Sequence, residues 1–274
     1  MKEWNIGSIP TDIVQQQALR RQSYTGIKAE NNQRLSVVFL SCKRFPWLQK
    51  TVHHIHTHIS KVEFNIKVEY ILVDNGSGDG LINWATSTGI FNKIIINEQN
   101  EGIAQGYNRG FSAATGEFIL QLGDDEICST QEPFVRMSMD ILGEHEDIGI
   151  VRLRNDETEK MIKRQQPVGI PRSTVQGVEF YTLFPVNGLP CAVYAFASSL
   201  FKRQAYLYTG NIPIVNRPKE SLQRKGRPLH PAHLQEITYA QIFQQYYNGA
   251  KIVCIPSVFV HARKNRGPGW RDKR

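Results

Sequence analysis

The chain has 274 residues, 41% hydrophobic and 21% charged, which is long enough to bury a sizeable core and too apolar for a disordered protein. No stretch reaches the roughly 20 apolar residues that span a bilayer, and the polar residues 1–33 carry no signal-peptide run. The formal charge of +8 leaves three partners open: nucleic acid, an anionic membrane surface, or a phosphorylated small molecule.

Nucleic acid is the weakest of the three, because no helix-turn-helix, zinc finger or aromatic ribonucleoprotein motif accompanies the basic residues. Those residues cluster late, at Arg217 and Lys219, Arg224 to Arg227, Arg263 to Arg266, and Arg271 to Arg274. A solvated surface, or peripheral contact with an anionic membrane, would use them equally well. Cys42, Cys128, Cys191 and Cys254 lie far apart with no Cys-x-x-Cys pair, which argues against a zinc ribbon and against a secreted disulfide framework. A reducing cytoplasm is the expected location.

Residues 12–21 read as one helix of an N-terminal extension. From residue 35 to 122 short apolar runs alternate with amphipathic segments, the mark of a parallel sheet built from βα repeats. Strands are expected over 35–41, 68–73, 93–96 and 117–122, with helices over 46–59 and 102–114. A helix over 131–142 and a strand over 148–153 follow. Residues 155–174 are polar and read as a loop or hairpin, with a turn at 186–190. The proline-rich, basic stretch 212–231 reads as a mobile loop or lid. A last helix over 232–248 and a strand over 251–255 precede the basic tail from 263. The fold class is therefore α/β: a Rossmann-like mixed, mostly parallel sheet flanked by helices. The expected division is an extension (1–33), two halves of one domain (34–154 and 155–262) and a tail (263–274).

Ligands of open parallel sheets bind beyond the carboxyl ends of the strands. Here three such ends are polar: Ser41-Cys-Lys-Arg44, Asp74-Asn75 and Gly123-Asp-Asp-Glu126. Together they suggest a nucleotide site. Glycines 102, 106 and 110 recur every four residues on one helix face, where close approach to a ligand or simple core packing would offset their helix cost. His53, His54, His56 and His58 include a pair one helical turn apart, but without a carboxylate or thiol neighbour in sequence they read as an exposed helix face rather than a zinc site.

Val73-Asp-Asn-Gly-Ser-Gly-Asp79 resembles the uracil- or thymine-binding turn of family 2 glycosyltransferases of the GT-A fold. Asn100-Glu-Gly-Ile-Ala-Gln-Gly-Tyr-Asn-Arg-Gly110 resembles the Asn-x-Gly segment that follows in that family, and Gly116-Glu-Phe-Ile-Leu-Gln-Leu-Gly-Asp-Asp125 its strand leading to an Asp-x-Asp metal motif. Gln235-Glu236, the segment Tyr246 to Pro256 and His261 are similar to its Glu-Asp helix, its Gly-to-Pro strand and its closing histidine. The likeness runs from about residue 35 to 261.

What the resemblance implies is an inverting, metal-dependent hexosyltransferase using a UDP- or dTDP-type donor, with 34–154 as its nucleotide-sugar-binding half and 155–262 as a C-terminal acceptor-side and catalytic half of the same domain. Asp125 matches the second, metal-binding aspartate, while Gly123 stands where the first would be, so that Asp124 or Glu126 takes its place or the ribose contact rests on backbone groups. A divalent cation, Mn2+ or Mg2+, held by such hard oxygens offsets the charge of a departing diphosphate. His261 is implied as a further metal ligand or a phosphate contact. Asp74 is implied to accept the N3–H of the base. Ser41, Arg44, Asn75, Gly102 and Asn108 complete the implied donor site. Glu236 matches the catalytic aspartate that takes the acceptor proton, with Gln235 in place of the preceding glutamate. The implied acceptor is a glycan, a lipid-linked sugar or a protein. Two alternatives stay open: a sugar-nucleotide-binding module without catalysis, and a sugar-phosphate nucleotidyltransferase, whose glycine-rich loop after the first strand has no counterpart in Ser41-Cys-Lys-Arg-Phe-Pro46.

Overall fold

The structure is a computed structural model that describes residues 35–63, 66–128, 130–155, 171–174, 177, 179–182, 198–214, 223–224, 227–228, 235, 238–239 and 251–261. In chain order the elements are β1 (Leu35–Ser41), α1 (Phe45–Val62), β2 (Val68–Asn75), α2 (Leu81–Thr88), β3 (Lys93–Asn97), α3 (Ile103–Ala113), β4 (Phe118–Leu122), β5 (Glu126–Cys128), α4 (Phe134–Glu144), β6 (Ile148–Asn155), β7 (Pro171–Ser173), β8 (Glu179–Thr182), β9 (Ser199–Lys202), α5 (Arg203–Thr209), β10 (Gln223–Arg224), β11 (Arg227–Pro228) and β12 (Lys251–His261). The expected helix at 12–21, the turn at 186–190 and the tail lie outside the described residues, as do most of the stretch 212–231 and of the helix 232–248.

Among the described residues the main sheet has ten strands, ordered β3-β2-β1-β4-β9-β6-β12-β8-β7, with β5 paired to β12. The first four are parallel neighbours, β1 lying between β2 and β4. Every residue of β1 is buried, as befits a central parallel strand covered on both faces. Beyond β4 the sheet turns mixed: β9 runs antiparallel to both β4 and β6, while β12 runs parallel to β6. β7, at the end of the expected loop or hairpin 155–174, pairs with β8, which lies beyond that stretch, and residues 156–170 lie outside the described residues.

The helices pack by their apolar faces. In α1 the buried residues Leu48, Thr51, Val52, Ile55, His58 and Ile59 recur at helical spacing. Helix α3 lies so close to the sheet that a Cβ on Gly106 would stand 2.5 Å from Leu40 Cδ1, and one on Gly110 would stand 2.4 Å from Val38 Cγ1. These two glycines therefore serve packing against β1. Gly102 differs, being the left-handed residue before the helix (φ 86). Buried Glu69 ties β2 to its neighbours by accepting hydrogen bonds from Ser36 Oγ, Thr115 Oγ1 and Lys93 Nζ.

The histidines of α1 require a correction. His58 is not on an exposed face: it is buried, stacked on Phe134 at 4.8 Å, with its Nε2 3.4 Å from Glu63 Oε1. Glu63 in turn accepts the N–H groups of Val135 and Arg136 at 2.7 and 3.1 Å, capping α4 from another helix. Burial works against protonation of His58, but the Cys128 and Glu63 side chains outweigh it and raise its pKa to about 9. Helix α2 and strand β5 are two further elements that sequence periodicity does not reveal.

Candidate active site

The register of the parallel strands lines up the polar strand ends. Ser41 at the end of β1 pairs with Asp74 on β2, and Asn75 pairs with Asn97 on β3. On the other side Phe39 pairs with Leu122, so the turn 123–125 leaves β4 along the same edge. Strand direction alone thus gathers Ser41, Asp74 and the acid pair Asp124–Asp125.

The acid pair is almost fully withdrawn from solvent, at 7% and 5% exposure. Arg44, on the turn after β1, places one nitrogen, Nη1, 3.1 Å from Asp124 Oδ1 and 3.2 Å from Asp125 Oδ2. Ser41 Oγ donates to Asp124 Oδ2 at 3.4 Å, and Thr51 Oγ1 donates to the Asp124 carbonyl at 3.1 Å. Two adjacent carboxylates repel, and a guanidinium spanning them offsets that repulsion. Tyr107 of α3 also belongs here. Burial, followed by the charges of Asp124, Glu126 and Asp125, pushes its phenol far above the ordinary range, so it stays protonated. The resemblance did not single out Tyr107, although it sits in the same Gly-Tyr-Asn-Arg-Gly run as Asn108. On the opposite side β5 pairs with β12 so that His261 stands across from Glu126, next to Asp125 in the chain.

A cleft of about 420 Å³ opens beyond β2 and β3, lined by Asp74, Gly76 to Asn83 and Ile96 to Glu98. Asp74 is buried, and its Oδ1 accepts the Ser77 N–H at 3.0 Å. The Asp79 carboxylate accepts the N–H groups of Phe45 and Leu81 at 3.1 and 3.4 Å, joining the β1–α1 turn to the start of α2. Burial, with Lys43 acting in the opposite direction, raises the pKa of the neighbouring Cys42 thiol.

Asn75 and Asn108 are engaged within the protein. Asn75 Nδ2 donates to Asn100 Oδ1 and the Gly102 carbonyl, while its Oδ1 accepts from Asn97 Nδ2 and the Glu101 N–H. It thereby holds the loop before α3 against the cleft. Asn108 donates to the Ile212 carbonyl at 2.9 Å and accepts the Ile212 N–H at 2.8 Å, anchoring the start of the proline-rich stretch to α3. Gly102 N donates to Asn100 Oδ1 within that same loop. Glu236 lies outside the described residues, although Gln235, Thr238 and Tyr239 around it are helical.

The profile of glycosyl transferase family 2 matches residues 36–208. Among curated proteins none matches the chain. Among solved structures, the mannosyltransferase PcManGT from Pyrobaculum calidifontis, in complex with GDP-Man and Mn2+, has a TM-score of 0.57 at 14% identity, covering 94% of this chain and 66% of that one. Staphylococcus aureus TarS 1-349 in complex with UDP-GlcNAc has a TM-score of 0.52 at 13% identity, covering 88% of this chain and 62% of that one. Glucosyl-3-phosphoglycerate synthase from Mycobacterium tuberculosis, in complex with Mn2+, UDP and glucosyl-3-phosphoglycerate, has a TM-score of 0.53 at 16% identity, covering 89% of this chain and 76% of that one. At such identities the likeness carries the fold, which is the GT-A fold expected from the sequence. The chain spans just under two thirds of the length of the first two relatives. Among the described residues no helix is long and apolar enough to cross a membrane.

Proposed function

The chain belongs to glycosyl transferase family 2, and from that membership we propose that it moves a sugar from a UDP- or dTDP-type donor to an acceptor hydroxyl with inversion. The observation that carries this reading is the row of Ser41, Asp74 and the acid pair along one sheet edge, beside a cleft of about 420 Å³. Asp74 lines that cleft as a hydrogen-bond acceptor, which suits the N3–H of a pyrimidine ring. Arg44 contacts the acid pair from a turn whose neighbouring residues bond to the cleft loop, within reach of a diphosphate there, and its planar fork suits phosphate oxygens. Residues 34–154 form the donor half in this account, and 155–262 the acceptor half.

The acid turn is the proposed seat of a divalent cation, although among the described residues no three His, Cys, Asp or Glu side chains converge as a ready-made ligand set. Asp124 and Asp125 offer hard oxygens side by side, a cationic nitrogen already stands between them, and the backbone of His261 is drawn up opposite Glu126. Such oxygen donors match Mn2+ or Mg2+, and Mn2+ accompanies two of the similar structures. When bound, the cation offsets the charge that grows on the leaving diphosphate. Asp125 is its proposed principal ligand, with His261 a second.

Glu236 is the proposed base. It follows Gln235 in the sequence, and near the start of the helix expected over 232–248 the dipole would keep a carboxylate ionised and able to accept a proton. Attack from the face opposite the nucleotide then inverts the anomeric centre. The acceptor is a glycan, a lipid-linked sugar or a protein hydroxyl, and the late basic clusters suit peripheral contact with an anionic membrane.

A panel of nucleotide sugars, incubated with the protein in Mn2+ or in excess chelator, tests this reading. Slow donor hydrolysis of a UDP- or dTDP-sugar that stops in chelator is the expected result. Full turnover in chelator would remove the metal from the account. Nucleotide binding without turnover of any donor, across a broad acceptor set, would leave a binding module.

A further inference from the structure

We propose that Arg44 guards the acid pair: its guanidinium holds the place between Asp124 and Asp125 that a divalent cation takes, and yields it when a nucleoside diphosphate arrives. This rests on the metal-dependent reading above and adds an order to it.

The geometry puts one nitrogen of Arg44 in contact with both carboxylates, at 3.1 and 3.2 Å. A cation coordinated by the same oxygens would lie within a few ångströms of that nitrogen, and two like charges so close in a partly buried site repel strongly. Arg44 and the cation therefore exclude each other from the shared space. Both carboxylate side chains are nearly buried, at 10% and 6% exposure, whereas that of Arg44 is at 29%. The guanidinium is thus the partner with a solvent-side route out.

The turn that carries Arg44 is also tied to the cleft loop. Arg44 is the residue before α1 and makes no side-chain cap to that helix. Lys43 before it is in the left-handed region at φ 55, which for a residue with a Cβ is a held and mildly costly conformation. Its N–H is fixed by Ser77 Oγ at 3.0 Å, on the loop that lines the cleft. A ligand in the cleft and the aim of Arg44 are linked through this bond. A diphosphate beside the turn gives the guanidinium a new bidentate partner, and the acid pair is then open to the metal. Metal alone should bind weakly, and metal with nucleotide should bind with positive coupling.

The test is Mn2+ binding followed by the electron paramagnetic resonance signal of the free ion, with and without UDP. The proteins compared are wild type, Arg44→Met, Arg44→Lys and Lys43→Met. Without UDP, Arg44→Met should bind Mn2+ roughly tenfold more tightly than wild type, an ordinary coupling magnitude. Arg44→Lys keeps the charge but not the fork and should fall between them, and Lys43→Met should stay close to wild type. UDP should tighten Mn2+ binding far more in wild type than in Arg44→Met. Equal affinities for wild type and Arg44→Met, or a Lys43→Met variant as tight as Arg44→Met, would overturn the guard while a UDP-dependent wild type still upheld the metal site. No Mn2+ uptake by any variant, with or without UDP, would overturn the metal reading and the guard with it.

Discussion

Substituting Gly76 by alanine should be among the most damaging single-atom additions in the donor half. Gly76 has φ 73, and a Cβ there would stand 2.6 and 2.7 Å from the Gln99 backbone carbon and Cα and 2.9 Å from the Asn100 nitrogen. The neighbours are backbone atoms, held in turn by the Asn75 bonds to Asn100, Glu101 and Gly102, so they cannot swing aside. The left-handed conformation costs an alanine about 1–2 kcal/mol, and forcing the two loops apart adds about 1–3 kcal/mol. Gly78 provides the control, because at φ 62 a Cβ there meets nothing within 4 Å. Gly78→Ala should lose only the conformational part. Urea denaturation of both variants reads the difference, and titration with UDP in Mn2+ reads whether the cleft has changed shape. If Gly76→Ala unfolds at the same urea concentration as Gly78→Ala, the close approach of the two loops is not a constraint and the reasoning fails.

Two further outcomes are expected. The folded pKa of His58 is raised from 6.5 to about 9, so its contribution is fully present below pH 6.5 and is lost as pH rises through 9. Up to about 3 kcal/mol of stability should therefore disappear over that window, and a His58→Phe variant, which keeps the ring against Phe134, should show a flatter stability profile from pH 6.5 to 9.5 when melted in matched buffers; an unchanged slope would mean that His58 is neutral in the folded protein. Glu236→Gln should lower transfer by roughly 10²–10⁴-fold, the usual worth of a general base, with donor affinity kept within a few-fold in a binding titration; normal transfer would make Glu236 only a helix-start carboxylate.

The parallel half of the fold is legible in the sequence because buried parallel strands are nearly continuous apolar runs. The seven buried residues of β1 show this, as do the last seven residues of β2 and all five of β4. The strand ends are legible for the same reason, since polar residues stand out where those runs stop. Helix α2 is not, because it buries only Leu81 and Ala85 and is bracketed by Gly80 and Gly89, so no period develops. Strand β5 is three residues long and exists by pairing with β12, more than a hundred residues later, a partnership with no local signal. The burial of His58 is hidden on a similar ground: Cys128, brought by β5, and the ring of Phe134 reach it from far along the chain, and only Glu63, five residues on, is local. The bridge from Arg44 to the acid pair is likewise a tertiary event, eighty positions apart in sequence. What the sequence shows there is only that cation and acids lie at neighbouring strand ends.

The central claim is that a nucleoside diphosphate binds at this sheet edge through a cation held by Asp125. Calorimetric titration of UDP into wild type and Asp125→Ala, each in Mn2+ and in chelator, addresses it most directly. The account predicts binding by wild type in Mn2+, weakened at least roughly tenfold both by chelator and by the substitution, with the two losses not adding. UDP binding of equal strength in all four titrations would contradict it.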